Sequence, residues 1–168
     1  MKLYYSPGAC SLSPHIVLCE AGLAFELEKV DLSKKRTASG KDFLTINPKG
    51  YVPALKCDNG EVLTEGPAIV QYVADLAPQK QLAPAAGSFA RYHCQEWLNF
   101  ISTEIHKAFG TFFKPNVPED YKKSVMETLT NRLNYIEAQL ADHQYLMGVE
   151  CPTDYLVSAL LTLLIDLA

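Results

Sequence analysis

One of the five cysteines, Cys10, lies between a short strand pattern and a helix, and this placement suits thiol chemistry. Leu3 to Tyr5 favour a strand, and Ser6-Pro7-Gly8 ends it in a turn. A helix is predicted from about Ser11 to Glu20, closed by Gly22 beyond its end. Unpaired amides and the positive end of the helix dipole would meet at Cys10, so we expect a pKa below the free value of roughly 8.5. The alternative is a buried structural cysteine, but the strand, turn and helix around Cys10 favour chemistry.

A long helical segment carries a second group of polar side chains. These side chains share one arc of the helix, opposite an apolar stripe, and they are Asn99, Thr103, His106 and Lys107. Such an arc is usually a solvated surface. Amide, hydroxyl, imidazole and ammonium groups together also supply hydrogen-bond donors for a carboxylate or a thiolate. Both interpretations, solvated surface and ligand site, stay open for this arc.

Two further segments present backbone groups that suit a peptide ligand. Pro53 at the head of a strand pattern is able to take a cis bond, which leaves Val52 with a free N–H and C=O for an added strand. Glu65-Gly66 opens a helix, where free amides bind a carboxylate and the Glu65 side chain binds an ammonium group. The purely structural alternatives are a plain loop-to-strand transition at Val52-Pro53 and a helix cap at Glu65. Together with Cys10, these segments point to a thiol peptide.

The elements that position these residues predict two domains. Residues 1–81 follow the order β-α-β-α-β-β-α, with loop and irregular helix over Leu32 to Asp42 and a tight turn at Asp58-Asn59-Gly60. Pro and Gly residues between Ala77 and Ser88 indicate a linker. Residues 87–168 are predicted to be all helical.

Three helices are predicted in this second domain. The first runs from about Phe89 past Phe109, the second opens at Pro118, and the third runs from about Asp154 to the end. A stripe along the second helix has the spacing of a buried face and contains Met126, Leu129, Leu133, Ile136 and Leu140.

Composition excludes several classes of protein. The chain has 168 residues, 48% of them hydrophobic, which is enough for a sizeable core. A net charge of −4 without a basic run argues against nucleic acid or an anionic membrane as the main partner. No apolar stretch is long enough to span a bilayer and no secretory signal is visible, so we expect a cytoplasmic protein.

The five cysteines, odd in number and without a CxxC pair, argue against a disulfide framework. Their spacing also excludes the usual zinc motifs, so we expect no metal site. Cys19, three residues after Ile16 on an apolar helical face, is predicted to lie in the core.

The chain closely resembles the bacterial beta-class glutathione S-transferases. The resemblance covers residues 1 to 150 and rests on five segments, Tyr5 through Ser11, Asn47-Pro48-Lys49-Gly50, Val52-Pro53-Ala54-Leu55, Leu63-Thr64-Glu65-Gly66 with Ala68-Ile69, and Glu96-Trp97-Leu98-Asn99 through His106-Lys107. It implies a thioredoxin-like N-terminal domain, a helical C-terminal domain and a homodimer.

The resemblance also implies a role for individual residues. Cys10 and His106 would contact the glutathione sulfur, and Lys35 would bind the glycine carboxylate. Val52 would pair with the cysteinyl backbone, while Glu65 and Gly66 would bind the γ-glutamyl end. Other residues assigned to the glutathione site are Tyr5, Ser11, Pro53, Asn99, Thr103, Lys107 and Glu104, the last approaching the partner subunit's ligand.

The function that follows from the resemblance is conjugation of the glutathione thiolate to small hydrophobic electrophiles. One alternative is a glutathione-dependent thiol–disulfide oxidoreductase that uses Cys10. Ser13 stands where a CxxC motif has its resolving cysteine, so glutathione would have to resolve any mixed disulfide. Another alternative is a non-catalytic protein that binds glutathione or hydrophobic ligands.

The chain departs from the family at its C-terminal end. Relatives continue through further helices and begin the last predicted helix with a Ser/Thr-x-x-Asp box after a Gly-x-x-aromatic lead. Here the lead Gly148-Val149-Glu150-Cys151 is followed by Pro152-Thr153-Asp154-Tyr155, so no such box survives in that register. Thr153 or Asp154 would cap the helix instead, without the reciprocal pair. A lost cap costs about 1 kcal/mol. We therefore expect an incomplete helical domain with an intact glutathione site and with reduced stability and turnover.

Overall fold

A mixed five-stranded sheet forms the N-terminal part of the computed structural model, which describes residues 1–148 together with Cys151 and Asp154. Its strand order is β3-β2-β1-β4-β5, with β1 and β2 parallel and the other neighbours antiparallel. The strands are β1 (Lys2–Tyr5), β2 (Glu26–Asp31), β3 (Arg36–Thr37), β4 (Ala54–Lys56) and β5 (Val62–Thr64). The α/β fold expected from the sequence is confirmed.

Side chains that alternate along β1 and β4 build two separate cores on the two faces of the sheet. Leu3 and Leu55, both fully buried, join the core of α1 (Leu12–Ala21) and α2 (Gly66–Leu76). Tyr4 and Ala54 point to the opposite core, around Phe43 and Val52. Val52 lies in the loop two residues before β4, beside the loop that carries Cys10.

The segment between β2 and β4 contains no α-helix, contrary to the expected element order. A two-residue strand, β3, and a 3₁₀ turn at Phe43–Thr45 occupy it instead. Its polar side chains form hydrogen bonds within the segment or to the sheet. The Asp42 carboxylate accepts from the Leu44 N–H, and the Ser39 hydroxyl donates to Glu28 of β2. Such side-chain bonds compete with helix formation.

The predicted long helix is present and changes its winding halfway. It begins as α3 (Phe89–Phe100), capped by the Ser88 hydroxyl, and continues as a π-helix over Ile101–His106. A short turn, α4 (Lys107–Phe109), ends it. Within the π-helix the Ser102 hydroxyl donates to the Leu98 carbonyl at 2.7 Å. Segments of π-helix are rare and are frequent at functional sites.

The second predicted helix is α5 (Glu119–Leu140), preceded by Pro118 as its N-cap. Leu129 and Ile136 are buried as expected, whereas Met126 is 50% exposed and that part of the stripe prediction is wrong. Cys19 is also exposed, because it lies at the outer edge of α1 rather than over the sheet.

The third predicted helix lies outside the described residues except for Asp154. The Asp154 carboxylate accepts from the Cys151 N–H and the Leu146 N–H, each at 3.0 Å. The expectation that no capping box survives is therefore wrong in part, because its acidic half forms between Asp154 and Cys151, one residue earlier than expected, while the hydroxyl half is missing. In the described part of the chain, no helix combines the length and apolarity needed to cross a membrane.

Polar bonds join α2 to α3. The Arg91 guanidinium, only 6% exposed, forms a bidentate ion pair with Asp75 and donates to the Pro84 carbonyl at 2.7 Å. Gln95 donates to Gln71 at 3.0 Å between the same two helices. These contacts fix the long helix against the sheet and so set the position of its π-helical segment.

Candidate active site

The loop that presents Cys10 is held by reciprocal hydrogen bonds. The Ser11 hydroxyl accepts from the Ser6 N–H and donates to the Ser6 carbonyl, both at 3.2 Å. Gly8 has a φ of 65°, a left-handed conformation that glycine adopts without strain. The turn and helix predicted around Cys10 are therefore present, with Gly22 closing α1 in the left-handed conformation.

The pKa of Cys10 departs from the sequence expectation. Burial raises the pKa of the Cys10 thiol to about 11, its own backbone N–H opposes this, and the charge of Glu65 adds to it. The amides of the first helical turn are already used, since Leu12 donates to Ala9 and Ser13 donates to the Cys10 carbonyl. The prediction of a lowered Cys10 pKa is therefore wrong for the ligand-free protein, in which Cys10 is a neutral thiol.

The Cys10 thiol lies against the loop before β4. It donates to the Val52 carbonyl at 3.6 Å, and the Val52–Pro53 peptide is cis, as the sequence suggested. Asn47, 2% exposed, holds this loop by donating to the Tyr51 carbonyl at 2.7 Å. The Val52 N–H has no partner among the described residues, so it is open to a ligand backbone.

Glu65, at the start of α2, carries a small ionic cluster. Its Oε1 accepts from Lys49 Nζ at 2.5 Å and from the Tyr51 hydroxyl at 2.9 Å. Lys49 also donates to the Thr64 hydroxyl at 3.0 Å. The bond from Lys49 lowers the pKa of Glu65, so the carboxylate is ionised at neutral pH.

A cleft of about 650 Å³ gathers most of the predicted residues. The sheet domain contributes Cys10, Val52, Pro53, Glu65 and Gly66, and the long helix contributes Asn99 and His106. Burial lowers the pKa of His106 below 6.5, so its imidazole is neutral at pH 7.

The sequence analysis missed several residues that line this cleft, namely Tyr51, Pro67, Ala68, Gln71 and Ser102. Ser102 lies three residues after Asn99 and four residues before His106. Helical spacing from these two predicted residues was therefore a signal that could have found Ser102.

The other predicted site residues lie away from this cleft. Tyr5 and Ser11 line a separate hollow of about 140 Å³ beside the Ser6-Pro7-Gly8 turn. Lys35 donates its Nζ to the Gly50 carbonyl at 2.7 Å. Three residues of the long helix, Thr103, Glu104 and Lys107, line a groove of about 450 Å³ facing α5.

The predicted polar arc divides between two surfaces of the long helix. Ser102 and His106 face the cleft, whereas Thr103 and Lys107, each one residue later, face α5. Glu104 accepts two hydrogen bonds from Arg132 of α5, at 3.2 and 3.0 Å.

Comparison with known proteins places this site in a family. Residues 1–75 match the family model described as "Glutathione S-transferase, N-terminal domain". Glutathione S-transferase GstA of Escherichia coli O157:H7 is 50% identical over 148 residues, which cover 88% of this chain and 74% of GstA.

Solved structures show the same similarity. A ternary complex of the bacterial glutathione S-transferase BphK is 58% identical, with a TM-score of 0.94 over 96% of this chain and 81% of that one. A sphingomonad glutathione S-transferase in complex with glutathione is 46% identical with a TM-score of 0.92, again over 96% and 81%. The beta-class enzyme of Sphingomonas chungbukensis is 43% identical with a TM-score of 0.91 over the same shares.

These matches confirm the family and the fold class that the sequence motifs indicated. This protein belongs to the glutathione S-transferase family and groups with its bacterial beta class.

Proposed function

We propose that this protein conjugates the glutathione thiolate to small hydrophobic electrophiles in the 650 Å³ cleft. The relative at 46% identity was solved in complex with glutathione, which supports the same ligand here. The observation that carries the proposal is the convergence of Cys10, the open Val52 amide, Glu65 and His106 on one cleft. We further propose that the protein is cytoplasmic and acts as a homodimer.

The peptide backbone of glutathione would bind along the sheet side of the cleft. Its cysteinyl backbone would pair with the Val52 N–H and C=O as a short added strand. Its γ-glutamyl end would lie at the start of α2, with the ammonium on Glu65 and the carboxylate on the Gly66 N–H. Pro53 would shape the wall between these two contacts. Such binding orients the sulfur toward the long helix.

The neutral state of Cys10 gives it a specific chemical role. A Cys10 thiolate would repel the glutathione thiolate, whereas a Cys10 thiol donates a hydrogen bond to it. Because the Cys10 pKa is about 11, the thiol form persists at every pH at which glutathione ionises. Binding of glutathione would turn the S–H away from the Val52 carbonyl and toward the substrate sulfur.

His106 would provide a second donor from the opposite wall. Its neutral imidazole carries one N–H, which stabilises the thiolate without a full positive charge beside it. The glutathione proton passes to water, the sulfur lone pair forms the new C–S bond, and the leaving group of an aryl halide departs with its electron pair. Orientation and charge stabilisation together lower the barrier.

The remaining assigned residues would act around this centre. Lys35 would turn from the Gly50 carbonyl to the glycine carboxylate of glutathione, and Ser11 and Tyr5 would support the Cys10 loop. Asn99 would line the cleft beside the ligand. Thr103, Glu104 and Lys107 would serve the face toward α5 and the partner subunit.

A second candidate function is glutathione-dependent thiol–disulfide exchange. The specific observation in its favour is that a cysteine, Cys10, lies in the cleft itself. Its raised pKa disfavours the attacking thiolate that this chemistry needs, and Ser13 replaces a resolving cysteine. Conjugation is therefore the better supported function.

Three measurements on one sample separate these functions. Calorimetry measures glutathione binding, absorbance follows turnover of 1-chloro-2,4-dinitrobenzene, and a third assay follows reduction of a glutathione mixed disulfide, each for the wild type and for Cys10→Ala. Conjugation predicts turnover in both proteins with a reduced rate in the variant, and Cys19→Ala serves as the control because Cys19 is exposed and outside the cleft. Disulfide exchange without conjugation would favour the second candidate, and binding without either activity would indicate a binding protein.

A further inference from the structure

The ionic cluster at Glu65 contains a cation that the proposed glutathione contacts do not use. Lys49 Nζ lies 2.5 Å from Glu65 Oε1 and 3.0 Å from the Thr64 hydroxyl. The backbone holds Lys49 in place, since its N–H donates to the Asn47 side chain at 3.1 Å. Asn47 is buried, so the cation is attached to a fixed loop rather than to a free surface.

The cluster leaves one acceptor and one donor open. Both Lys49 and Tyr51 donate to Oε1 of Glu65, and no described residue donates to Oε2. An ammonium group has three N–H donors, and Lys49 uses two of them. A negative oxygen and a positive N–H thus stand open side by side at the rim of the cleft.

The start of α2 supplies little anion binding of its own. Pro67 has no N–H, and the amides of Ala68 and Ile69 both donate to the Glu65 carbonyl. Only the Gly66 amide remains for a ligand carboxylate within the described first turn. A carboxylate bound there would need a further charged donor to offset the neighbouring Glu65.

We propose that Lys49 is a specificity-determining residue that binds the α-carboxylate of the γ-glutamyl group while Glu65 Oε2 binds its α-ammonium. Lys49 and Glu65 together would therefore favour a ligand that carries both charges over a ligand that carries only one. A peptide with only the amine would leave Lys49 without its second anion, and one with only the carboxylate would meet the charge of Glu65. This inference rests on the proposed glutathione function.

The alternative is that Lys49 competes with the ligand ammonium for Glu65. The two hypotheses predict opposite changes in glutathione affinity when Lys49 is removed. If Lys49 is a competitor, its removal strengthens binding, and if it is a donor to the carboxylate, its removal weakens binding. Both side chains are about half exposed, 46% for Lys49 and 53% for Glu65, so either effect will be moderated by solvent. We expect a loss of about tenfold for one charge-assisted hydrogen bond at such a position.

The test pairs protein variants with ligand analogues in calorimetry. The ligands are S-methylglutathione, its 4-aminobutyryl analogue without the α-carboxylate, and its glutaryl analogue without the α-amine. The proteins are wild type, Lys49→Met, Lys49→Arg and the control Lys56→Met, an exposed lysine of β4 for which the described residues form no ion pair.

The proposal predicts a specific pattern of dissociation constants. Deleting the carboxylate weakens binding to the wild type and to Lys56→Met about tenfold more than it weakens binding to Lys49→Met, in which only the Gly66 amide still binds the carboxylate. Lys49→Arg keeps most of the discrimination because it keeps the charge. Deleting the amine costs Lys49→Met at least as much as the wild type, since Glu65 remains.

Two results would overturn the role of Lys49 while leaving the proposed function intact. One is an equal cost of carboxylate deletion in the wild type and in Lys49→Met. The other is tighter binding of S-methylglutathione by Lys49→Met, as competition requires. If the folded wild type fails to bind S-methylglutathione at all, the proposed function and this inference both fail.

Discussion

The thiol of Cys10 donates to the main-chain carbonyl of Val52 at 3.6 Å, joining the loop before α1 to the loop before β4. The carbonyl that would pair with the glutathione backbone is therefore already occupied by the side chain that would contact the glutathione sulfur. In the ligand-free protein this contact directs the Cys10 S–H toward the Val52 carbonyl, while burial raises the pKa of the thiol. We expect ligand binding to redirect both groups at once.

Alkylation tests the protonation state of Cys10. Because burial raises the pKa of its thiol to about 11, we expect iodoacetamide to modify Cys10 slowly at pH 7. The rate should rise about tenfold for each pH unit up to pH 10, since only the thiolate reacts. Mass spectrometry resolves the site, and exposed Cys19 of α1 is the internal control. A rate at Cys10 that levels off below pH 8 would show a thiolate and contradict this assignment.

Substitution of His106 tests its role as a neutral donor. We expect His106→Phe to lower kcat/KM for 1-chloro-2,4-dinitrobenzene by roughly tenfold or more, because one donor to the thiolate is lost. His106→Asn keeps a donor and should retain more activity. Nuclear magnetic resonance should show the His106 pKa below 6.5, as burial disfavours the imidazolium. Wild-type activity in both variants would remove His106 from the reaction.

Substitution of Arg91 tests whether its ion pair with Asp75 holds α2 and α3 together. Arg91→Met removes the bidentate pair and the bond to Pro84, and we expect it to lower the free energy of unfolding by about 2 kcal/mol. Urea denaturation measures this change. Glu119→Gln, which removes an exposed pair with Lys122, should change stability by less than about 1 kcal/mol. A similar small change for Arg91→Met would mean that the pair does not hold the helices together.

Local signals predicted the elements whose determinants lie close together in sequence. The Asp58-Asn59-Gly60 turn joins β4 to β5 as expected, and Gly22 closes α1. Such turns and caps depend on the backbone preferences of a few adjacent residues. The same holds for the placement of Cys10 between a turn and a helix.

Features that depend on distant partners escaped the sequence analysis. The loop after β2 is anchored by Glu28, eleven residues before Ser39, and no local pattern reveals that bond. The pKa of Cys10 is set mainly by burial against other segments rather than by the helix dipole. Thr103 and Lys107 line the groove toward α5 rather than the cleft, because the packing of α5 and of the sheet domain decides which surface each side chain faces.

The depressed pKa of Glu28 predicts sensitivity to acid. Hydrogen bonds from Ser39 and Lys2 lower the pKa of Glu28 from its usual 4.5 to about 2. A carboxylate with a lowered folded pKa stabilises the protein above its unfolded pKa, and this contribution is lost as the pH falls from 4.5 towards 2. Glu28→Gln should cost about 1 to 3 kcal/mol at pH 7 and less at pH 3. Urea denaturation at both pH values checks this, and an equal cost at both would contradict the assignment.

Ultraviolet absorption tests whether the cleft stabilises the glutathione thiolate. Because Cys10 stays protonated until about pH 11, the difference between titrations of wild-type protein with one equivalent of glutathione and without it reports the bound glutathione sulfur at lower pH. We expect bound glutathione to ionise at least about one pH unit below the free thiol value of roughly 8.5, and His106→Phe to remove part of this shift. Bound glutathione that ionises at the free value would contradict this expectation.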